Sequence, residues 1–194
     1  MTDERFELVF VCTGNRFRSP IAAAFAARAT EGLPVTVGSR GTLELGPVPA
    51  LSEALELSGE HGLDLSRHAA QAIGPGTLAG ADLVVGFERM HLATAVVDGK
   101  ADRDRTFTLP ELVELLERRT APETGDLDPV ERARCAVAEA AAARGPDFRF
   151  LSLPELADPL GQPIQVYRET AQRLREQTDR LARGLFGVEP QPPP

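Results

Sequence analysis

The stretch FELVFVCTGNRFRSPIAAAFAARA, residues 6–29, decides the reading of the fold. Phe6 to Val11 is a short run rich in valine and phenylalanine, the pattern of a strand buried on both faces. The run ends at Cys12. Five residues separate that cysteine from Arg18, and Ser19-Pro20 then opens an alanine-rich stretch without glycine. Serine suits an N-cap and proline the first helical position, so a helix is predicted from Ser19. It presents Ile21, Phe25 and Ala29 on one face and stops near Gly32.

A Cys-x5-Arg loop between a strand and a helix start has a physical meaning. Five residues can curl so that their backbone N–H groups point inward, and the helix adds its N-terminal partial positive charge. Together they make an anion cradle of phosphate size. Arg18 closes it with a planar fork suited to two phosphate oxygens. The same field favours the thiolate of Cys12, a nucleophile towards phosphorus. Gly14 is expected to supply a backbone conformation that other residues resist. Taken alone, the pattern also fits a buried structural cysteine beside a solvated arginine.

A cysteine-based phosphatase also needs an acid to protonate the leaving oxygen. LADPLGQP, residues 156–163, offers Asp158 followed by Pro159 in a loop just before the final helix, with the proline stiffening it. By itself Asp158 also reads as an ordinary turn aspartate.

The rest of the chain alternates strand and helix. Residues 34–38 read as a second strand, 50–61 as a helix ended by Gly62, 81–87 as a third strand and 105–109 as a fourth. Such alternation argues for an α/β fold in which a four-stranded parallel sheet carries helices on both faces. Residues 110–119 read as a helix with Leu112, Val113, Leu115 and Leu116 facing in. After an irregular stretch, Asp128-Pro129 with Glu131 marks a further helix start of the capping-box type. That helix carries Cys135 and ends at Gly145-Pro146. The last helix begins near Pro163, repeats Ile164, Tyr167, Ala171, Leu174, Leu181 and Leu185 at helical spacing, and ends at Gly187. Residues 188–194 read as a frayed proline-rich tail.

The 194 residues suffice for one domain with a real core, and the 26% charged and 42% hydrophobic residues are ordinary for a globular protein. A formal net charge of −8 argues against nucleic acid or an anionic membrane as the main partner. Two cysteines make no disulfide framework. The acidic start MTDERFELVF has no signal-peptide character, and no apolar run approaches a membrane span. A cytoplasmic protein with a reduced Cys12 is expected.

At this point the sequence resembles the low-molecular-weight protein tyrosine phosphatase family. The resemblance lies in CTGNRFRS near the N-terminus and Asp-Pro near the C-terminus, and in three segments between them: VGSRGT (37–42), EHGLDLSRHAAQAI (60–73) and ADLVVGFERMHL (81–92). It covers most of residues 6–116 and again 153–186, one domain over 1–187 with an insertion at about 117–152. It implies that Cys12 becomes phosphocysteine. Thr13, Gly14, Asn15, Arg16, Phe17 and Arg18 line the phosphate site, and Arg18 also binds the transition-state oxygens. Asp158, ahead of Pro159, is the general acid and then the base that activates water. Asn15 holds the loop in shape, Ser19 donates towards the sulfur, and Ser39 and His68 brace Asn15. No cofactor and no metal are implied. Substrates are a phosphorylated protein or a small phosphorylated metabolite, and the protein is a monomer or weak dimer.

The sequence departs from the family in places. Arg16 and Phe17 stand where small or apolar residues and a second cysteine are usual. No aromatic residue follows the serine turn in GTLELGPVP, and Leu160-Gly161 rather than a tyrosine follows Asp158-Pro159. Arg16 adds a cation at the pocket mouth. It selects substrates with extra negative charge, or else it pairs with a local carboxylate such as Glu44. Two other functions share the fold: an arsenate reductase-like enzyme, which needs further cysteines to relay a disulfide, and a phosphate-binding interaction module without catalysis.

Overall fold

The computed structural model describes residues 5–119, 127–144 and 154–189. Four strands run parallel: β1 (Phe6–Cys12), β2 (Val35–Gly41), β3 (Leu83–Gly86) and β4 (Thr106–Thr108). Their order across the sheet is β2-β1-β3-β4. The helices are α1 (Arg18–Ala29), α2 (Ser52–Glu60), α3 (Arg89–Val97), α4 (Leu109–Glu117), α5 (Pro129–Ala143) and α6 (Ile164–Phe186), with a 3-10 turn at Arg103–Arg105.

β1 is central, pairing Leu8 with Val37 on one side and with Leu83 on the other. Its side chains alternate between two cores. Phe6, Leu8, Phe10 and Cys12 join the larger core with residues of α1, α2, α4, α5 and α6. Val9 and Val11 face a smaller one with Val84, Leu78 and Ala95 of α3. Helices therefore cover both faces, as the alternation of strand and helix predicts. The order reverses at β1, where β2 lies to one side and β3 to the other. Ligands of open parallel sheets bind at such a switch point, outside the carboxyl ends of the strands.

Three local expectations need correcting. Helix α1 begins two residues earlier than predicted: Phe17, not Ser19, is its N-cap and makes no side-chain cap, and Ser19 lies inside the first turn. The serine hydroxyl is used instead on Cys12, 3.0 Å away. The first turn of α1 also carries no acidic side chain. Second, RMHLATAVV, which gave no helical signal, forms α3. Its capping box joins the Glu88 carboxylate to a first-turn N–H and the His91 ring to the N-cap N–H. Third, Ile164 is 41% exposed, whereas Tyr167, Ala171, Leu174, Leu181 and Leu185 are buried as expected.

Within the stretch at 117–152, the Asp128 carboxylate accepts from the Val130 and Glu131 N–H groups and starts α5 where predicted. The predicted end at Gly145-Pro146 lies outside the described residues. α5 is fastened near its C-terminus. There Arg144 pairs with buried Glu111 at 2.9 Å and its guanidinium lies 3.8 Å from the centre of the Phe107 ring.

Candidate active site

The loop from Cys12 to Arg18 leaves β1 and curls into α1. Asn15, not Gly14, takes the left-handed conformation, with φ 52°. A β-carbon added to Gly14 would meet only ordinary contacts, the nearest being Leu45 Cδ1 at 3.5 Å. The conformational demand expected of Gly14 thus falls one residue later, on a residue type that tolerates this region. Asn15 is buried and fully bonded. Its Nδ2 donates to Ser19 Oγ at 2.9 Å and to Ser39 Oγ at 2.8 Å. Its Oδ1 accepts from the Gln71 N–H, and its carbonyl accepts from His68 Nε2 at 2.6 Å. Ser39 and His68 both bond Asn15, the residue that the family resemblance sets them to brace. Ser19 Oγ accepts from Asn15, and its single hydrogen has two acceptors in reach, Cys12 Sγ at 3.0 Å and Arg40 O at 3.3 Å.

The end of β2 backs the loop. Thr42 N donates to the Cys12 carbonyl and Leu43 N to the Thr13 carbonyl. Gly41 is packed so closely that a β-carbon there would stand 3.0 Å from Thr13 O and 3.1 Å from Asn15 N. Nothing in the sequence marks Gly41 beyond its place at a strand end.

Arg18 is buried, and its fork is fully engaged. One terminal nitrogen donates to Leu156 O at 2.9 Å and lies 3.0 Å from Glu88 Oε2. The other donates to Asp158 Oδ2 at 2.5 Å and to Thr13 Oγ1 at 3.3 Å. Asp158, which is 140 residues away in sequence, is thus brought onto the loop. Its segment is anchored along its length. Thr108 Oγ1 donates to Pro154 O, Arg89 N and Nε donate to Glu155 Oε1, and Leu156 N donates to Phe87 O. Asp158 Oδ1 accepts from Leu160 N in its own turn, and Pro159 is buried.

Cys12, Thr13, Gly14, Arg16, Phe17, Arg18 and Asp158 surround one cavity of about 230 Å³, whose walls are completed by Leu43, Leu45, Leu51 and Leu160. Phe17 is held edge-on against Tyr167 at 4.9 Å, and the Tyr167 hydroxyl accepts from Gly161 N. That tyrosine joins the base of the loop to the turn after Asp158. Arg16 Nε donates to Pro49 O at 2.9 Å. Among the described residues no carboxylate pairs with Arg16, Glu44 included. Sequence reasoning missed Glu88, His91, Gly41 and Tyr167. Among the described residues no group of three or more His, Cys, Asp or Glu side chains is placed to hold a metal ion. None of the described helices is long and apolar enough to cross a membrane.

This loop, its bracing and the distant aspartate coincide with a sequence match. Residues 7–137 fit the family described as low molecular weight phosphotyrosine protein phosphatase. The chain belongs to that family. It is a cysteine-dependent phosphatase, and its substrates are phosphorylated. Among its relatives is a protein-arginine-phosphatase of Bacillus subtilis, 28% identical over 181 residues, covering 92% of this chain and 96% of the relative. A low molecular weight protein tyrosine phosphatase from T. tengcongensis superposes with a TM-score of 0.65 at 28% identity, over 91% of this chain and 97% of that one. An arginine phosphatase carrying a phosphorylated active-site serine superposes with a TM-score of 0.67 at 27% identity, over 92% and 94% of the two chains.

Proposed function

We propose that the protein dephosphorylates phosphotyrosine side chains in acidic stretches of proteins, in two steps through Cys12. In the first step Cys12 Sγ attacks phosphorus, the phosphorus–oxygen ester bond breaks, and the leaving oxygen takes a proton from Asp158. In the second, the Asp158 carboxylate takes a proton from water as the water oxygen attacks phosphorus. That releases phosphate and returns the thiolate. Arg18, the loop N–H groups and the start of α1 hold the oxygens on which charge develops. The observation that carries this reading is the convergence of Cys12, Arg18 and Asp158 on one cavity.

The substrate class rests on the cavity walls. Leu43, Leu45 and Leu160, 51%, 44% and 64% exposed, offer an apolar rim to a neutral ring. Arg16, held on the wall by Pro49 O, adds a cation that opposes a cationic leaving group and attracts acidic neighbours of the phosphorylated residue. Phosphoarginine is the second reading, favoured by the whole-length relative that bears that activity in its name. An arsenate reductase-like enzyme and a non-catalytic module are not favoured, since the matching relatives and structures are named as phosphatases. Both cysteines are free, and the chemistry requires a thiol at Cys12, which fits a reducing compartment such as the cytoplasm.

The test is kcat/KM on matched acidic peptides bearing phosphotyrosine or phosphoarginine, with Cys12→Ser as control. Phosphotyrosine is expected to be the better substrate, and Cys12→Ser inactive on both. A higher kcat/KM on phosphoarginine would overturn the substrate assignment. Turnover by Cys12→Ser would overturn the mechanism.

A further inference from the structure

Beside the phosphate cavity lies a second, open groove of about 650 Å³, reached across Thr13 and Leu43 and floored by Glu88, Met90 and His91. His91 is buried to 1% exposure, and the two-step mechanism gives it no role. Its Nδ1 accepts from two backbone N–H groups, Phe87 at 3.2 Å and Glu88 at 3.1 Å. A nitrogen that accepts carries no proton, so the ring hydrogen sits on Nε2. That nitrogen is 3.1 Å from Thr13 Oγ1 and 3.3 Å from Glu88 Oε2. Burial, and after it the Arg18 charge, lower the His91 pKa to about 3, which keeps the ring neutral. The charged groups around it are Arg18 from α1, Glu88 at its own helix start and Glu155 from the segment ahead of Asp158.

Thr13 Oγ1 thus has two neighbours, His91 Nε2–H and the Arg18 terminal N–H, and both are donors that cannot accept. The threonine hydrogen cannot go to either of them. Among the described residues no third group bonds to Thr13 Oγ1, and the side chain borders both the phosphate cavity and the groove.

We propose that His91 is a positioning residue of the phosphatase site: it fills an acceptor position of Thr13 and so directs the threonine O–H into the cavity, as a donor to a phosphoryl oxygen of the substrate. Thr13 then binds substrate by its side chain as well as through the loop backbone. His91 acts only through it, without exchanging a proton. The inference rests on the proposed cysteine mechanism for the place of the phosphoryl group.

The test is a double-mutant cycle on p-nitrophenyl phosphate, with inorganic phosphate as competitive inhibitor. In His91→Asn the amide oxygen can replace Nδ1 towards the two backbone N–H groups, which preserves the start of α3, but the side chain is too short to reach Thr13. Thr13→Val removes the hydroxyl at nearly constant shape. Each change is expected to lower kcat/KM and to weaken phosphate inhibition by about tenfold or more, as for a hydrogen bond to a charged group. The double variant is expected to be no worse than Thr13→Val, because His91 acts through the hydroxyl that is already gone. The pH–rate profile of His91→Asn should keep the wild-type shape. Additive losses, or a Thr13→Val enzyme with unchanged kcat/KM and phosphate inhibition, would overturn the proposal. So would the loss of a limb of the pH profile in His91→Asn. An active Cys12→Ser enzyme would instead remove the mechanism on which the inference rests, a separate and recognisable failure.

Discussion

Asn15 holds a backbone conformation that costs a residue with a β-carbon about 1–2 kcal/mol, and it does so at the centre of the phosphate loop. The cost is offset by bonds to Ser19, Ser39, Gln71 and His68, which leave its amide and carbonyl no freedom to unwind. Asp158 is less constrained. It shares one oxygen with Arg18 and the other with its own turn, and about a third of its side chain is exposed. That exposed edge faces solvent beside the cavity. Asp158→Asn is therefore expected to slow kcat by about 10²–10⁴-fold on an alkyl or poor aryl leaving group. The loss should be much smaller on p-nitrophenyl phosphate, whose leaving group needs no proton. Steady-state rates across a series of leaving groups measure this, and equal losses throughout would mean that Asp158 is not the acid. Cys12 and Arg18 stand out in the sequence by their neighbours, a strand end and a Ser-Pro helix start, whereas Asp158-Pro159 by itself also reads as an ordinary turn and gains its place from the family resemblance. Ser39 and His68 were legible only through the family resemblance, since their partner lies 24 and 53 residues away.

Elements, rather than single side chains, set the distances in this site. The loop is gripped between α1, whose first turn is left uncapped by any side chain, and the last residues of β2. Gly41 shows how close that grip is. Gly41→Ala forces a methyl group against the Thr13 carbonyl and the Asn15 backbone, neither of which can rotate away. Overpacking of this kind costs about 1–3 kcal/mol of stability. Displacing the loop amides should lower kcat/KM by about ten- to a hundredfold. Urea unfolding and steady-state kinetics on the same variant separate the two effects. Unchanged kinetics would mean that the loop does not depend on its contact with β2. Helix α3 escaped sequence reasoning for a related reason. Its sequence includes β-branched Thr94, Val96 and Val97, which weaken helix propensity, and its capping box ends in His91 where a glutamate or glutamine is the usual signal. The helix forms because Leu92 and Ala95 are buried against the sheet, a tertiary gain that local sequence does not display. α5 was legible because its cap is local, Asp128 ahead of Pro129. What fastens it, Arg144 on Glu111 and Phe107, is long-range and was not.

At the scale of the whole molecule, a net charge of −8 surrounds a core that contains one histidine, His91, held neutral by burial, while a second, the half-buried His61, also has its pKa lowered. His91 has its pKa lowered from 6.5 to about 3 by desolvation and then by Arg18. His61, edge-on to Phe25, is lowered by desolvation and then by Arg175 and Arg28. Below pH 6.5 the unfolded chain binds these protons more readily than the folded chain, so stability falls as pH falls. For His91 the loss begins near pH 6.5 and continues to about pH 3, at about 1.4 kcal/mol per pH unit, or about 2 kcal/mol by pH 5. His61 acts in the same direction. The carboxylates Glu60, Asp64, Glu117 and Glu155 are lowered from their ordinary values by hydrogen-bonded partners, so their contribution is lost only at more acidic pH. Asp179, raised by burial, works the other way, since its folded form gains protons first. Between pH 7.5 and 5 His91, whose shift is the large one, therefore dominates the slope among these groups. Urea unfolding at the two pH values and constant ionic strength is expected to show the wild type losing stability on acidification. His91→Asn, with nothing to titrate at that position, should lose about 2 kcal/mol less than the wild type. An equal loss in both proteins would mean that His91 accepts a proton in the folded state, and the threonine it faces would then not be held by a neutral ring.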